Sequence, residues 1–120
     1  MVFEGGRSIP FDIGRVFYIY GSDDTVVRGC HANRESEFVL INVAGESKVR
    51  IKDGAEEIVV ELNKPMMGVY LPRMIWKEMY DFSPDSVLLV LASTHYDSEE
   101  YIRDFEVYLS EINAGGSRKE

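Results

Sequence analysis

At 120 residues the chain has the length of one domain, 1–120, and enough material for a single core. Its 45% hydrophobic and 12% aromatic content excludes intrinsic disorder, and a formal net charge of −8 excludes general nucleic-acid binding, which needs basic surface to displace phosphate counterions. No apolar run approaches the roughly 18 residues of a membrane span. The opening Met1-Val2-Phe3-Glu4 carries no secretory-signal pattern, and the lone Cys30 rules out an internal disulfide. A cytoplasmic protein with no membrane and no nucleic-acid partner is therefore expected. An anionic small ligand stays open, because a few well-placed cations outweigh a distant global field.

In chain order, Arg15–Tyr20 (RVFYIY) is aromatic and β-branched and reads as a strand ended by Gly21-Ser22-Asp23-Asp24. The residues around His31 read as a second strand. Glu37–Val43 is a nearly continuous apolar run, the pattern of a strand buried on both faces. Lys48–Lys52 and Ile58–Leu62 flank Asp53-Gly54, a hairpin signal because both turn positions favour positive φ. Met67–Leu71, Ile75–Tyr80 and Val87–Ala92 follow, with Ser83-Pro84-Asp85 turning the chain before the last. One helix is predicted from about Asp97 to Ile112. Asp97 caps it, Glu100 completes a capping box, and Tyr101, Ile102, Phe105, Leu109 and Ile112 form its apolar stripe. The tail from about 114 to 120 is glycine-rich and polar and is expected to fray. Seven or eight short strands with one terminal helix predict an all-β fold, an antiparallel sandwich or barrel with the helix packed against it.

Chemistry concentrates around His31-Ala32-Asn33. Strand alternation puts His31 and Asn33 on one face, since side chains at i and i+2 point the same way. The stretch resembles the first metal motif of a cupin barrel, with Glu37 at the spacing of a further ligand. The second such motif falls on Pro72-Arg73-Met74-Ile75-Trp76-Lys77, where Lys77 stands in place of a histidine. Asparagine is a weak neutral ligand and an ammonium cannot coordinate, so no metal and no cofactor are expected. Arg28, Asn33, Arg73 and Lys77 instead supply polar groups around His31, which titrates near neutrality and suits proton abstraction beside a carbonyl. His95, at a predicted strand-to-helix junction, reads as structural, and Cys30 alternates away from the His31 face as a packed thiol.

Three stretches together resemble a known family: RVFYIY (15–20), VVRGCHANRESEFVLINVAG (26–45) and GVYLPRMIWKEMYDFSPDSVLLVLASTHYDSEEYIRDFEVYL (68–109). They are similar to the dTDP-4-keto-6-deoxyglucose 3,4-ketoisomerases, the WxcM-like sugar-ketoisomerase cupins, over about residues 9–110. The resemblance implies a metal-free, cupin-like jelly-roll barrel, usually a homodimer, acting on a thymidine-diphosphate sugar for surface-glycan synthesis. The implied chemistry moves a carbonyl from C4 to C3 through an enediol. Members carry R-G-x-H-A-H with both histidines implicated in proton transfer; here His31 matches the first and Asn33 replaces the second. Lys77 occupies the variable basic position of W-[RH]-E-M, and the D-x-R-G-x-L segment that helps form the sugar pocket in members has no counterpart ahead of Ile9-Pro10-Phe11. His31 and Asn33 are thus the expected catalytic pair, with His31 as the base and Asn33 as an enediolate contact. Arg28, Lys77, Arg73, Tyr18 and Tyr20 are expected to bind substrate. The alternative is a cupin that binds a sugar nucleotide without turning it over, or that performs another reaction on it.

Overall fold

The structure, a computed structural model, describes residues 2–114. Two antiparallel sheets face each other. One has four strands in the order β1-β8-β3-β6, formed by Arg15–Tyr20, Val87–Ala92, Phe38–Ala44 and Gly68–Leu71. The other has five, in the order β5-β4-β7-β2-β9, formed by Glu57–Leu62, Ser47–Lys52, Trp76–Tyr80, Arg28–Asn33 and Tyr101–Ile102. The strand pairs are antiparallel throughout. This is the mostly antiparallel jelly roll with one C-terminal helix that the turn spacing predicts.

Alternation explains which residues meet between the sheets. Phe38, Leu40, Leu88 and Val90 point inward from the first sheet and meet Val49, Leu62 and Met79 from the second, with Phe82 and Leu71 closing the cluster. β3 is buried from Phe38 through Asn42 because its other face is covered as well. Ile9 and Phe11 fold back over Val39, Ile41 and Leu91 there. Burial of each such side chain contributes about 1.5–3 kcal/mol, so this double-sided strand anchors the fold.

The C-terminal region departs from expectation. Asp97 does cap a helical turn, but only the 3-10 turn Ser98–Glu100, whose Glu99 N–H donates to the Asp97 carboxylate. Tyr101 and Ile102 then run extended as β9, paired with Asn33 and Ala32. The α-helix, α1, spans Phe105–Ala114 and is capped by Asp104, which accepts from the N–H groups of Glu106 and Val107. A capping aspartate stands at both places, Asp97 and Asp104. The cross-strand partner of Tyr101-Ile102, which lies far away in sequence, decides between them. α1 lies on the outer face of the five-stranded sheet, where Tyr108 and Ile112 pack with Trp76, Ala32 and Ile102. The Tyr108 hydroxyl donates to the Met74 carbonyl at 2.9 Å. The tail expected to fray lies outside the described residues, apart from Ala114 at the end of α1.

The β4–β5 connection also differs. It is a four-residue loop rather than a two-residue turn: the Asp53 carboxylate accepts from the N–H groups of Ala55 and Glu56, and of its residues only Gly54 has positive φ, at 95°. Gly54 also sits under α1, where an added Cβ would lie 2.3 Å from Ile112 Cδ1. Gly54→Ala therefore combines a left-handed alanine with a forced shift of the Ile112 side chain. Urea denaturation is expected to show a loss of about 1–3 kcal/mol, without loss of the folded baseline.

Candidate functional site

Between the sheets, beside the core, lies a cavity of about 550 Å³. β2 builds one wall by an irregularity. Arg28 pairs with Met79 and His31 with Lys77, so three steps along β2 match two along β7. The extra residue is Cys30, in a left-handed conformation at φ 58°, preceded by Gly29 at φ 81°. This bulge puts both Arg28 and His31 into the cavity, which simple alternation forbids for residues three apart. Cys30 turns the other way and packs beside Trp76 and Met74 under α1.

Behind His31 runs a chain of polar groups that burial makes obligatory. Lys77 is 2% exposed, and its ammonium lies 4.8 Å from the Phe38 ring centre. Among the described residues its one hydrogen bond goes to Asn33 Oδ1, at 3.0 Å. The Asn33 amide nitrogen in turn donates to Glu100 Oε2 at 2.6 Å. Glu100, also buried, accepts from the Ser36 hydroxyl and from the backbone N–H groups of Glu35 and Ser36. Burial alone would raise the Glu100 carboxyl, but these donors outweigh it and hold the group below its ordinary value, hence ionised. Burial pushes the Lys77 amine down to about 7, with Glu100 pulling the other way. Burial, reinforced by the cations Lys77 and Arg103, pushes His31 down to about 3, so its imidazole is neutral at physiological pH. Its Nδ1 is buried with no hydrogen-bond partner.

The opposite wall and the mouth hold groups that the sequence alone did not single out. Arg15 points inward from β1, donating from Nη2 to the Tyr101 hydroxyl at 2.7 Å. Its Nε and Nη1 are buried without partners, and its guanidinium carbon lies within 6.0 Å of the ring centres of Phe17, Phe38, Tyr96 and Tyr101. Tyr101 also stands edge-on to His31, with ring centres 4.7 Å apart, and carries the Arg103 guanidinium over its face at 4.6 Å. Arg15, Arg28, Lys77 and Arg103 all line the cavity, and among the described residues no carboxylate does. In a chain of net charge −8 that segregation marks an anion site.

The expected residues separate into two groups. His31, Arg28 and Lys77 converge on the cavity. Asn33 is fully buried behind Lys77, with its amide nitrogen on Glu100 and its oxygen on Lys77, and is not among the residues that line the cavity. Tyr18 and Tyr20 stack on each other on the outer face of β1, at 60% and 68% exposure, because alternation gives the inner face to Arg15, Phe17 and Ile19. Arg73 is exposed in the turn before β7 and does not line the cavity. Glu37 lies outside as well, accepting from the Tyr70 hydroxyl. His95 is exposed. Among the described residues no three His, Cys, Asp or Glu side chains cluster as metal donors, and no helix is long and apolar enough to cross a membrane. Arg15 had a detectable signal in its i, i+2 relation to Phe17 and Ile19; Glu100 had none, because its partners are 64 or more residues away.

This geometry matches known proteins over nearly the whole chain. The family described as "FdtA: WxcM-like, C-terminal" matches residues 1–113. The chain is 40% identical over 113 residues to the TDP-4-oxo-6-deoxy-alpha-D-glucose-3,4-oxoisomerase of Aneurinibacillus thermoaerophilus, covering 92% of this chain and 81% of that protein. Among solved structures it is similar to QdtA, a sugar 3,4-ketoisomerase of Thermoanaerobacterium thermosaccharolyticum in complex with TDP. That similarity is 43% in sequence with a TM-score of 0.91, over 94% of this chain and 82% of that one. It is likewise similar to WlaRA, the TDP-fucose-3,4-ketoisomerase of Campylobacter jejuni, at 44% identity and a TM-score of 0.87, over 90% of this chain and 80% of that one. On these matches over nearly its whole length, the chain belongs to the FdtA, WxcM-like family of sugar 3,4-ketoisomerases.

Proposed function

We propose that this protein moves the carbonyl of a TDP-4-keto-6-deoxyhexose from C4 to C3 through an enediol, as an isomerase of surface-glycan sugar biosynthesis that needs no metal or other cofactor. The observation that carries the reading is the pairing of His31, neutral and only partly enclosed by protein partners, with four cations in one cavity. A cavity of about 550 Å³ falls within the roughly 300–1,000 Å³ usual for small-molecule sites. Arginine forks suit a diphosphate, and the rings of Phe17, Tyr96 and Tyr101 offer a base and a sugar apolar surface.

His31 acts as the base at carbon. C3 and C4 are adjacent and coplanar in the enediol, so one imidazole can remove the proton from C3 and return it to C4. Burial first, and then the cations Lys77 and Arg103, hold this base near 3; an entering diphosphate and a developing enediolate neutralise those cations and so relieve the part of the depression they cause. The half-buried thiol of Cys30 fits a reducing cytoplasm.

The protein also acts as a homodimer in this reading. β1 is an edge strand of the four-stranded sheet, and Val16, Tyr18 and Tyr20 present an apolar outer face at 54–68% exposure. An unpaired edge beside such a face is an aggregation hazard unless a second copy covers it.

Two measurements check these readings. With TDP-4-keto-6-deoxyglucose in deuterated water, His31→Asn is expected to lower hydrogen exchange at C3 by ~10²–10⁴-fold while TDP affinity changes little, because most binding energy comes from groups away from the reacting carbons. Equal exchange in the variant and the parent removes His31 from the chemistry. Light scattering at micromolar concentration is expected to give twice the chain mass of 13.7 kDa, and Tyr18→Glu/Tyr20→Glu to shift it to one chain.

A further inference from the structure

His31 accounts for the proton that moves between carbons, but the isomerisation also moves a proton between oxygens, from the C3 hydroxyl to what was the C4 carbonyl. We propose that Lys77 carries that second proton, giving one to O4 as the ammonium and taking one from O3 as the amine. This deepens the ketoisomerase reading above and rests on it.

The geometry selects Lys77 over the other three cations. His31 and Lys77 are direct cross-strand partners on neighbouring strands, both facing the cavity. Arginine stays protonated throughout the working pH range, so Arg15, Arg28 and Arg103 can polarise an oxygen but cannot accept a proton from one. Lys77 makes one hydrogen bond, to Asn33, which leaves two of its three N–H bonds for a bound ligand. Asn33 is a positioning residue: Glu100 holds its amide nitrogen, which fixes its oxygen against Lys77. The charged groups around the amine are His31 and Arg28 on β2, Arg15 across the cavity on β1, Arg103 after β9, and Glu100 behind Asn33. Burial, opposed by Glu100, holds the amine near 7, where it is exchangeable in both directions.

The steps balance. In the first, His31 takes the C3 proton, the C3–H electron pair becomes the C3–C4 double bond, and the carbonyl π pair moves to O4, which takes a proton from the Lys77 ammonium. In the second, the Lys77 amine takes the O3 proton, the O3–H pair forms the C3 carbonyl, and the C3–C4 π pair takes the proton back from His31 at C4. Both side chains end as they began. The positive charge passes from Lys77 to His31 and back, so the site never holds an extra charge. Lys77 also stops depressing His31 at the step in which His31 must hold a proton.

The test uses the full chain, TDP-4-keto-6-deoxyglucose and deuterated water, reading C3 exchange and formation of the 3-keto sugar separately. Lys77→Arg keeps a cation beside O4 but cannot release a proton. A guanidinium can still hold the O4 enediolate that exchange requires but cannot take the O3 proton that conversion requires, so C3 exchange is expected to fall by clearly less than conversion, which falls by ~10²–10⁴-fold. Conversion at the parent rate, or equal loss of exchange and conversion, overturns the proposal. A second reading does not depend on how well the variant folds: in protein labelled with ¹³C at lysine Cε, the Lys77 signal is expected to titrate within about one unit of 7, and a midpoint above 10 overturns the proposal. If the parent binds TDP yet neither exchanges nor converts, the ketoisomerase reading itself fails and this inference with it. Parent activity with an unaffected Lys77→Arg defeats the inference alone.

Discussion

A carboxylate at 6% exposure must have its oxygens satisfied or it costs several kcal/mol, and Glu100 is in that position. It meets the requirement by gathering the Asn33 amide, the Ser36 hydroxyl and two backbone N–H groups from the corner between β2 and β3. The site follows from this gathering. The Glu100 carbonyl accepts from the Arg34 N–H and β9 pairs with the end of β2, which sets Tyr101 against His31 and Arg15. The Asn33 oxygen is turned toward Lys77 because its nitrogen is held. A buried cation and a buried anion thus share one neutral amide between them, and neither forms a direct ion pair.

Charge on the rest of the protein is disposed differently. Several cations outside the cavity are paired: Arg34 with Glu111, Lys48 with Asp81, and Arg50 with Glu57 and Glu78. Such half-exposed pairs contribute little stability, roughly 0–1 kcal/mol each, and Arg34–Glu111 does more to tie α1 to the end of β2. The acidic surplus therefore resides on the surface and the free positive potential within the cavity. An anionic ligand approaching the molecule is repelled at long range and attracted only at the mouth, where low-dielectric walls and partnerless guanidinium nitrogens strengthen the attraction.

Local signals carried most of the fold. Val87–Ala92 and Arg15–Tyr20 have the bounds their apolar runs predict, and β3 to β7 begin and end within a residue of theirs, because turns and periodicity are encoded nearby in the chain. The errors arise where distant partners decide. Tyr101-Ile102 continues a helical stripe equally well, yet pairs with β2 as a strand. In the site, alternation from His31 correctly places Asn33 on the inner face, but it cannot tell a wall from the layer behind it. The Cys30 bulge shifts the phase of β2, so Arg28 reached the cavity for a reason that a period of two does not contain. Tyr18 and Tyr20 offer hydroxyls, but the phase of β1 turns them outward and gives its inner face to Arg15. Lys77 was visible as an odd residue in a familiar motif; its depressed basicity was not, since burial is a property of the assembled sheets.

The chain of contacts from Lys77 through Asn33 to Glu100 spans sequence separations of 44 and 67 residues. Contacts of that range close late in folding, after the local hairpins, because the entropy of the long loops must be met before they return any stabilisation. During synthesis β2 emerges with Asn33 and His31 well before the segment bearing Glu100 and Tyr101 leaves the ribosome. Until that segment docks, the lysine remains hydrated and keeps the basicity of any surface amine. The protein therefore acquires a neutralisable amine and a cation-walled cavity in one late event, and its partly folded forms present ordinary lysine chemistry to their surroundings.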